Sequence, residues 1–150
     1  MSKKIPATLL LTVILIAPAY AASTSAQLSI SVEVVARTIL TIDSQPANIE
    51  ITAVDVARGY VDVPQAMAFR VRSNAINGYT VQFDPMSYPF SRADINWGNT
   101  AAMVGADGTW LTRPYQQGTT TGSLNVRLTL TANALPGSYS WPVRVAANSL

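Results

Sequence analysis

The stretch LSISVEVVARTILTI, from Leu28 to Ile42, alternates in one phase for fifteen residues. Its even positions read Leu28, Ile30, Val32, Val34, Ala36, Thr38, Leu40 and Ile42. Alternation with a period of two is typical of a β-strand that buries one face. A strand of this length would extend about 50 Å, whereas strands of globular domains usually have about 3 to 10 residues. A single small domain can therefore use only part of it.

We divide the stretch into two parts. Residues 36–150 are predicted to form the domain, whose first strand runs from about Arg37 to Asp43, and residues 22–35 form an N-terminal extension. The extension presents four aliphatic side chains on one side, and they are Leu28, Ile30, Val32 and Val34. We predict that they form a donor strand, which adds main-chain hydrogen bonds and apolar side chains to a neighbouring copy. Alternatively, the long strand bends at a bulge near Val35 and Ala36 and crosses between two sheets of its own domain.

Residues 1–21 have the pattern of a cleaved signal peptide. Lys3 and Lys4 precede an uncharged run from Leu9 to Ile16, and small residues occupy Ala19 and Ala21. The apolar run is too short to cross a bilayer as an anchor. The sequence therefore predicts export.

Charge and composition exclude several classes of function. Lys3 and Lys4 are the only lysines, so the chain after residue 21 has eight arginines against eight acidic residues, and this neutrality disfavours nucleic-acid binding. The sequence has no Cys and no His, which excludes Ser-His-Asp and Cys-His catalysis and His or thiolate metal sites. We predict that the protein is not an enzyme and holds no cofactor and no metal.

The remaining chain also alternates like strands, and no amphipathic helix is predicted. Met67–Val71 is followed by the Asn77-Gly78 turn and by Tyr79–Phe83, which predicts a hairpin or a tight connection. Residues 84–122 read as long loops around one or two short strands, and Leu124–Leu130 is a clear strand. About six to eight strands predict an all-β, immunoglobulin-like Greek-key β-sandwich, with an up-and-down barrel as the alternative.

The last predicted strand is the counterpart of the donor. Tyr139, Trp141, Val143 and Val145 share one face, and Pro142 interrupts the other. Because proline has no N–H to donate to a ladder, this strand is expected at an edge or a bulge. We predict that these four residues form the acceptor-groove strand of a sandwich that the donor completes.

Other candidate sites are weaker. Asp84, Asp94 and Asp107 are spaced ten and thirteen residues apart, which favours turn positions over a calcium loop or a glycosidase acid pair. Four aromatic residues of the middle segment could form a platform for a host or surface glycan or could cap the core, and they are Tyr88, Trp97, Trp110 and Tyr115.

Three motifs resemble one known family. FRVRSNAINGYTVQF (Phe69–Phe83), NWGN (Asn96–Asn99) and ANALPGSYSWPVRV (Ala132–Val145) are similar to segments of the spore coat protein U-like subunits of archaic chaperone–usher pili. The resemblance implies an incomplete immunoglobulin-like fold, a periplasmic chaperone, an outer-membrane usher and polymerisation by donor-strand exchange. Members commonly carry a cysteine pair joining early strands, and here Ser73 stands where one of the two is expected.

Three functions are compatible with the sequence. The first is a pilin that polymerises with identical or related subunits into an extracellular fimbrium, a structure used in cell adhesion and biofilms. The second is a self-complete secreted β-sandwich that binds a glycan or a protein through its loops, and the third is a hydrolase that uses only carboxylates.

Overall fold

The computed structural model describes residues 29–150. Residues 34–150 form one compact unit of ten strands and one short helix. In chain order the elements are β1 (Thr38–Ser44), β2 (Asn48–Ile51), α1 (Ala53–Arg58), β3 (Tyr60–Ser73), β4 (Tyr79–Phe83), β5 (Phe90–Trp97), β6 (Thr100–Val104), β7 (Thr109–Arg113), β8 (Thr119–Leu130), β9 (Gly137–Ser140) and β10 (Val145–Ser149).

The strands form three antiparallel sheets. The five-stranded sheet has the order β1-β3-β8-β5-β6, the three-stranded sheet has the order β10-β4-β7, and β2 pairs with β9. The predicted all-β fold is thus confirmed. Between residues 29 and 150, no helix is both long and apolar enough to span a bilayer.

Alternate residues of the two larger sheets form one hydrophobic core. Its most deeply buried members include Met67, Phe69 and Val71 on β3, Val81 and Phe83 on β4, Ile95 on β5, and Leu124 and Leu128 on β8. Their neighbours in sequence, such as Arg70 and Arg127, are exposed and form ion pairs with Asp43 and Asp62 across the strands. The period of two that the sequence shows in these segments is therefore the pattern of one buried face.

The connection around Asn77 and Gly78 is tight but does not make a hairpin. It carries the chain from β3 in one sheet to β4 in the other, and β3 and β4 do not pair. Gly78 has a φ of 93°, and a Cβ atom there would lie 2.3 Å from the carbonyl oxygen of Arg113. Any side chain at this position would collide with the backbone of the strand that pairs with β4.

The middle of the chain contains more strands than expected. Residues 84–122 hold β5, β6, β7 and the start of β8, where the sequence predicted one or two short strands. Trp97 and Thr100 face each other across the two-residue turn Gly98-Asn99, so the NWGN motif is a β-hairpin. Such a two-residue loop with Gly and Asn is a recognised hairpin signal.

The short helix α1 was not predicted, although its caps are present in the sequence. The Thr52 hydroxyl accepts a hydrogen bond from the Asp55 amide, the Asp55 carboxylate accepts one from the Thr52 amide, and Gly59 ends the helix. Bonds from Thr52 and Arg58 lower the pKa of Asp55 to about 2. With only six helical residues, the apolar periodicity is too short to detect, and only this capping box marks the helix.

Candidate functional site

Six strands of the described unit have a ladder partner on one side only, because β1 and β6, β10 and β7, and β2 and β9 are the ends of the three sheets. Two of these edges, β1 of the five-stranded sheet and β10 of the three-stranded sheet, lie next to each other. The two strands meet where the Thr38 and Ser149 hydroxyl oxygens lie 3.0 Å apart. Further along, the Trp141 amide donates to the Ala47 carbonyl oxygen at 3.0 Å. Between these two contacts, no strand of the described residues pairs with either edge.

On β1 the register shows which main-chain groups are free. The Asn74 amide donates to the Arg37 carbonyl oxygen at 3.1 Å, and Thr38 lies opposite Ser73. In an antiparallel ladder the residues alternate between those bonded to the partner and those that face away. The N–H and C=O groups of Thr38, Leu40 and Ile42 therefore point to the unpaired side.

The main-chain groups of β10 alternate in the same way. The Asp84 amide donates to the Arg144 carbonyl oxygen at 3.2 Å, and the Leu150 amide donates to the Gly78 carbonyl oxygen at 3.1 Å. Even-numbered residues of β10 thus bond to β4, and the main-chain groups of the odd-numbered residues are free. These residues are Val145, Ala147 and Ser149.

We call the line between these edges the seam, defined by Thr38, Leu40, Ile42, Val145, Ala147 and Ser149. Leu40 and Val145 are half-buried and pack against the core, and Ile42 is 37% exposed. The Cα atoms of β1 and β10 approach within 8 Å of each other, so a strand could enter between the two edges only if they separate. It would then find free donors and acceptors on either edge and apolar side chains between them. That combination is what β-strand addition requires.

The predicted acceptor residues are distributed over two strands. Tyr139 lies on β9, Val145 begins β10, and Trp141 and Val143 lie in the irregular segment between them. The prediction of one continuous last strand is therefore wrong. Pro142 has no N–H for a ladder, and on either side of it the chain pairs with different strands, β9 with β2 and β10 with β4.

All four predicted acceptor side chains nevertheless face inward. Trp141 and Val143 are buried, and Tyr139 and Val145 pack against the core. Only Val145 lies on the seam. Leu40 and Ile42 alternate with Ile39 and Thr41 in the sequence, but this alternation does not indicate that their strand lies at an open edge beside β10. That these residues accept a donor strand remains a prediction.

The described part of the predicted donor is strongly exposed. Ile30, Val32 and Val34 are 76%, 80% and 73% exposed, and residues 29–37 contain no strand or helix. Leu28 and the predicted signal peptide lie outside the described residues.

The long strand does change sheets, but not where the alternative interpretation placed the bend. The β1–β3 ladder shifts between Ile42 and Ser44, and the chain then enters β2, which pairs with β9. The crossing therefore lies about eight residues beyond Val35 and Ala36.

A cluster of hydroxyl groups closes one end of the seam. Thr38 Oγ1 lies 2.8 Å from Ser73 Oγ and 3.0 Å from Ser149 Oγ, and Ser73 Oγ accepts a hydrogen bond from the Ala75 amide. Ser73, which stands where the family resemblance implies a cysteine, is thus in contact with the residue opposite it on β1. Three strands, β1, β3 and β10, meet in this cluster.

The double variant Thr38→Cys/Ser73→Cys should form a disulfide. The two residues face each other at a position without ladder hydrogen bonds, where side chains approach closely. Closing this loop should raise the free energy of unfolding by about 2 to 4 kcal/mol, as measured by denaturant unfolding of the oxidised and reduced forms of the same variant. Ile39→Cys/Arg72→Cys, at the adjacent hydrogen-bonded pair, is the control and should oxidise less readily. Equal unfolding midpoints for the two redox forms of the first variant would contradict this geometry.

The three aspartates considered for metal or acid–base chemistry lie on separate elements. Asp94 on β5 pairs with Arg92 at 2.9 Å, Asp107 lies in the turn between β6 and β7, and Asp84 follows β4. Among residues 29–150, no cluster of three or more His, Cys, Asp or Glu side chains could hold a metal ion.

The four aromatic residues proposed as a platform do not come together. Trp97 is buried, with Phe69 edge-on to it at 4.8 Å and Arg113 over its ring at 3.8 Å. Tyr88 and Tyr115 line two different surface cavities. Trp110 is 71% exposed on the outer face of the three-stranded sheet. A shared sugar platform is therefore not formed by these side chains.

Comparison of the chain with models of protein families, with curated proteins and with solved structures gives no match.

Proposed function

We propose that this chain is a structural subunit of a bacterial surface fibre, in which each copy receives the N-terminal extension of the next copy at its seam. The observation that carries the proposal is a pair of matching features. The extension presents exposed aliphatic side chains at alternate positions, namely Ile30, Val32 and Val34. The seam presents free main-chain groups on both edges and half-buried apolar side chains. The extension lacks an apolar surface on which to bury its side chains, and the seam lacks a strand to pair with its main-chain groups.

The proposed contact leads to a filament. The donor is the extension and the acceptor is the seam, so the two contacting surfaces of a copy are different patches. A contact between different patches does not close on itself and continues from copy to copy. The role is structural and needs no catalytic group.

The surrounding machinery follows from the resemblance to spore coat protein U-like pilins. In this proposal the chain is exported, is held by a periplasmic chaperone, and is added to the fibre at an outer-membrane usher. Its domain is then an incomplete immunoglobulin-like sandwich that lacks one strand at the seam. The separation of β1 and β10 into different sheets, with a sheet change between β1 and β2, supports this interpretation.

Purified chain without residues 1–21 should form polymers that resist heat and denaturant, because each junction buries a complete strand. Deletion of residues 22–34 should abolish the polymers and leave a poorly folded monomer. Denaturing gel electrophoresis without boiling and circular dichroism measure the two effects. A stable, soluble and well-folded monomer after the deletion would contradict the proposal and favour the second candidate.

The second candidate is a self-complete module that binds a neutral glycan, and one observation favours it. The outward side chains of the three-stranded sheet carry no charge, and they are Thr80, Gln82, Trp110, Thr112, Ala146 and Asn148. An exposed indole beside amides and hydroxyls suits a sugar ring. The binding surface would then be this sheet face rather than the loops.

A further inference from the structure

The side chain of Asn74 contacts the chain immediately before β1. Asn74 follows the last residue of β3, and its amide nitrogen Nδ2 donates to the Val35 carbonyl oxygen at 3.0 Å. Its Oδ1 accepts a hydrogen bond from the Arg37 amide. Its own main-chain amide donates to the Arg37 carbonyl oxygen at 3.1 Å. One side chain thus continues the β1–β3 ladder past its last strand residues.

The turn that carries Asn74 is itself fixed. The Ser73 hydroxyl accepts a hydrogen bond from the Ala75 amide at 3.1 Å and also contacts Thr38. The Gly78 amide donates to the Ala75 carbonyl oxygen at 3.0 Å. Asn74 is therefore presented from a turn that is bonded on both sides, and its two side-chain bonds hold the chain from Val35 to Arg37 beside the end of β3.

We propose that Asn74 is a positioning residue that keeps the extension from turning back into the seam of its own copy, and so directs it to a neighbour. This inference rests on the function proposed above. The extension could bind in the seam of its own copy or in the seam of a neighbouring copy, and Asn74 would favour the neighbour. Nothing else in the described chain forms side-chain hydrogen bonds to Val35 or Arg37.

The geometry makes self-insertion and the Asn74 contacts mutually exclusive. To lie along the free edge of its own β1, the extension would have to run antiparallel to that strand, so the chain would have to reverse direction just before Thr38. A two-residue hairpin turn there would require new dihedral angles at Ala36 and its neighbours. The Val35 carbonyl and the Arg37 amide would then leave Asn74.

Such a constraint is needed because self-insertion has a large kinetic and entropic advantage. A strand tethered by a short linker faces its own site at an effective concentration in the millimolar range. Neighbouring copies at micromolar concentration are about a thousandfold more dilute. Each of the two Asn74 hydrogen bonds can shift the equilibrium away from self-insertion by up to about tenfold. Together they offset a large share of the roughly thousandfold difference in concentration.

The test compares Asn74→Ala and Asn74→Asp in the chain without residues 1–21. Asn74→Ala removes both side-chain bonds, and Asn74→Asp keeps the acceptor for Arg37 but loses the donor to Val35. Asn77→Ala is the matched control, because Asn77 is exposed in the same turn and forms no side-chain hydrogen bond. Each protein is refolded at low concentration, and folded monomer and polymer are separated by size-exclusion chromatography. Trp fluorescence reports folding.

We expect the ratio of folded monomer to polymer to rise about tenfold or more for Asn74→Ala, by a smaller factor for Asn74→Asp, and not at all for Asn77→Ala. The monomer of Asn74→Ala should unfold when Ile30→Asp is added, because its own extension fills the seam. If Asn74→Ala is too unstable to recover, the ratio for Asn74→Asp decides.

The possible failures are distinguishable. Normal polymers from the unsubstituted chain together with an unchanged ratio for the Asn74 variants would overturn this inference and leave the proposed function intact. A monomer of Asn74→Ala that is insensitive to Ile30→Asp would also overturn it. An unsubstituted chain that forms no polymer at all would overturn both.

Discussion

Replacing Ile30 or Val32 by Asp should abolish polymer formation by the chain without residues 1–21. In the proposed fibre these side chains enter the apolar seam of a neighbour, and in the free chain they are 76% and 80% exposed. Burying each aliphatic side chain of the extension contributes about 1.5 to 3 kcal/mol, or about 6 to 12 kcal/mol for four of them before entropy is counted. A buried, unpaired carboxylate costs several kcal/mol more. The polymer yield on non-boiled gels should therefore fall by more than about a hundredfold.

Ser31→Asp is the matched control for this experiment. Ser31 lies between the two aliphatic residues, so on a strand its side chain points to the opposite face. The same charge there should leave polymerisation nearly unchanged. Normal polymer yield from both Ile30→Asp and Val32→Asp would argue against a buried donor, and equal loss with Ser31→Asp would indicate that charge alone, rather than the face of the strand, prevents assembly.

The parts of the fold that the sequence predicted are those in which local alternation and burial agree. β3, β4 and β8 have alternating apolar residues because one face of each lies on the core, and Phe69, Val81 and Leu128 are all buried. The outer residues of β3 and β8, such as Arg70 and Arg127, are exposed. In these segments the alternation of apolar and polar residues directly predicts which side chains are buried and which are exposed.

The sheet assignment could not be predicted from local pattern. β3 and β4 look like the arms of a hairpin, yet they belong to different sheets. What separates them is tertiary: β3 pairs with β1 and β8, and β4 pairs with β7 and β10. The pairing partners lie up to tens of residues away in the chain, and a period of two does not encode which of them a strand will choose.

The candidate site too could be predicted only where it depends on local sequence, and not where it depends on the pairing of distant strands. Pro142 predicted an irregular last strand, and in the structure it lies in the segment between β9 and β10. The partner of β10 at the seam is β1, which the sequence did not indicate. Leu40 and Ile42 belong to the site because β1 ends the five-stranded sheet, a property of the topology. The exposed Trp110 face could likewise not be recognised, since a single Trp in a loop-like segment gives no indication of its neighbours across the sheet.

The neighbouring residues Ala146 and Ala147 on β10 offer the sharpest test of the seam. Ala147 is half-buried, and its main-chain groups point to the unpaired edge, whereas Ala146 is exposed and bonds to β4 opposite Gln82. Ala147→Asp places a carboxylate where the donor strand would pack, at a cost of about 3 kcal/mol or more. We expect this variant to lose the ability to accept a donor and to form no polymer. Ala146→Asp should polymerise normally, because its carboxylate remains in water.

Mixing two defective variants then separates donor from acceptor. Ile30→Asp has a damaged extension and an intact seam, and Ala147→Asp has an intact extension and a damaged seam. Refolded together, they should give a one-to-one dimer, with the extension of Ala147→Asp in the seam of Ile30→Asp, and no longer species. The dimer cannot grow because the ends that it exposes are the damaged extension and the damaged seam. Size-exclusion chromatography with light scattering measures this mass, and polymers from Ala147→Asp alone would show that the donor binds elsewhere.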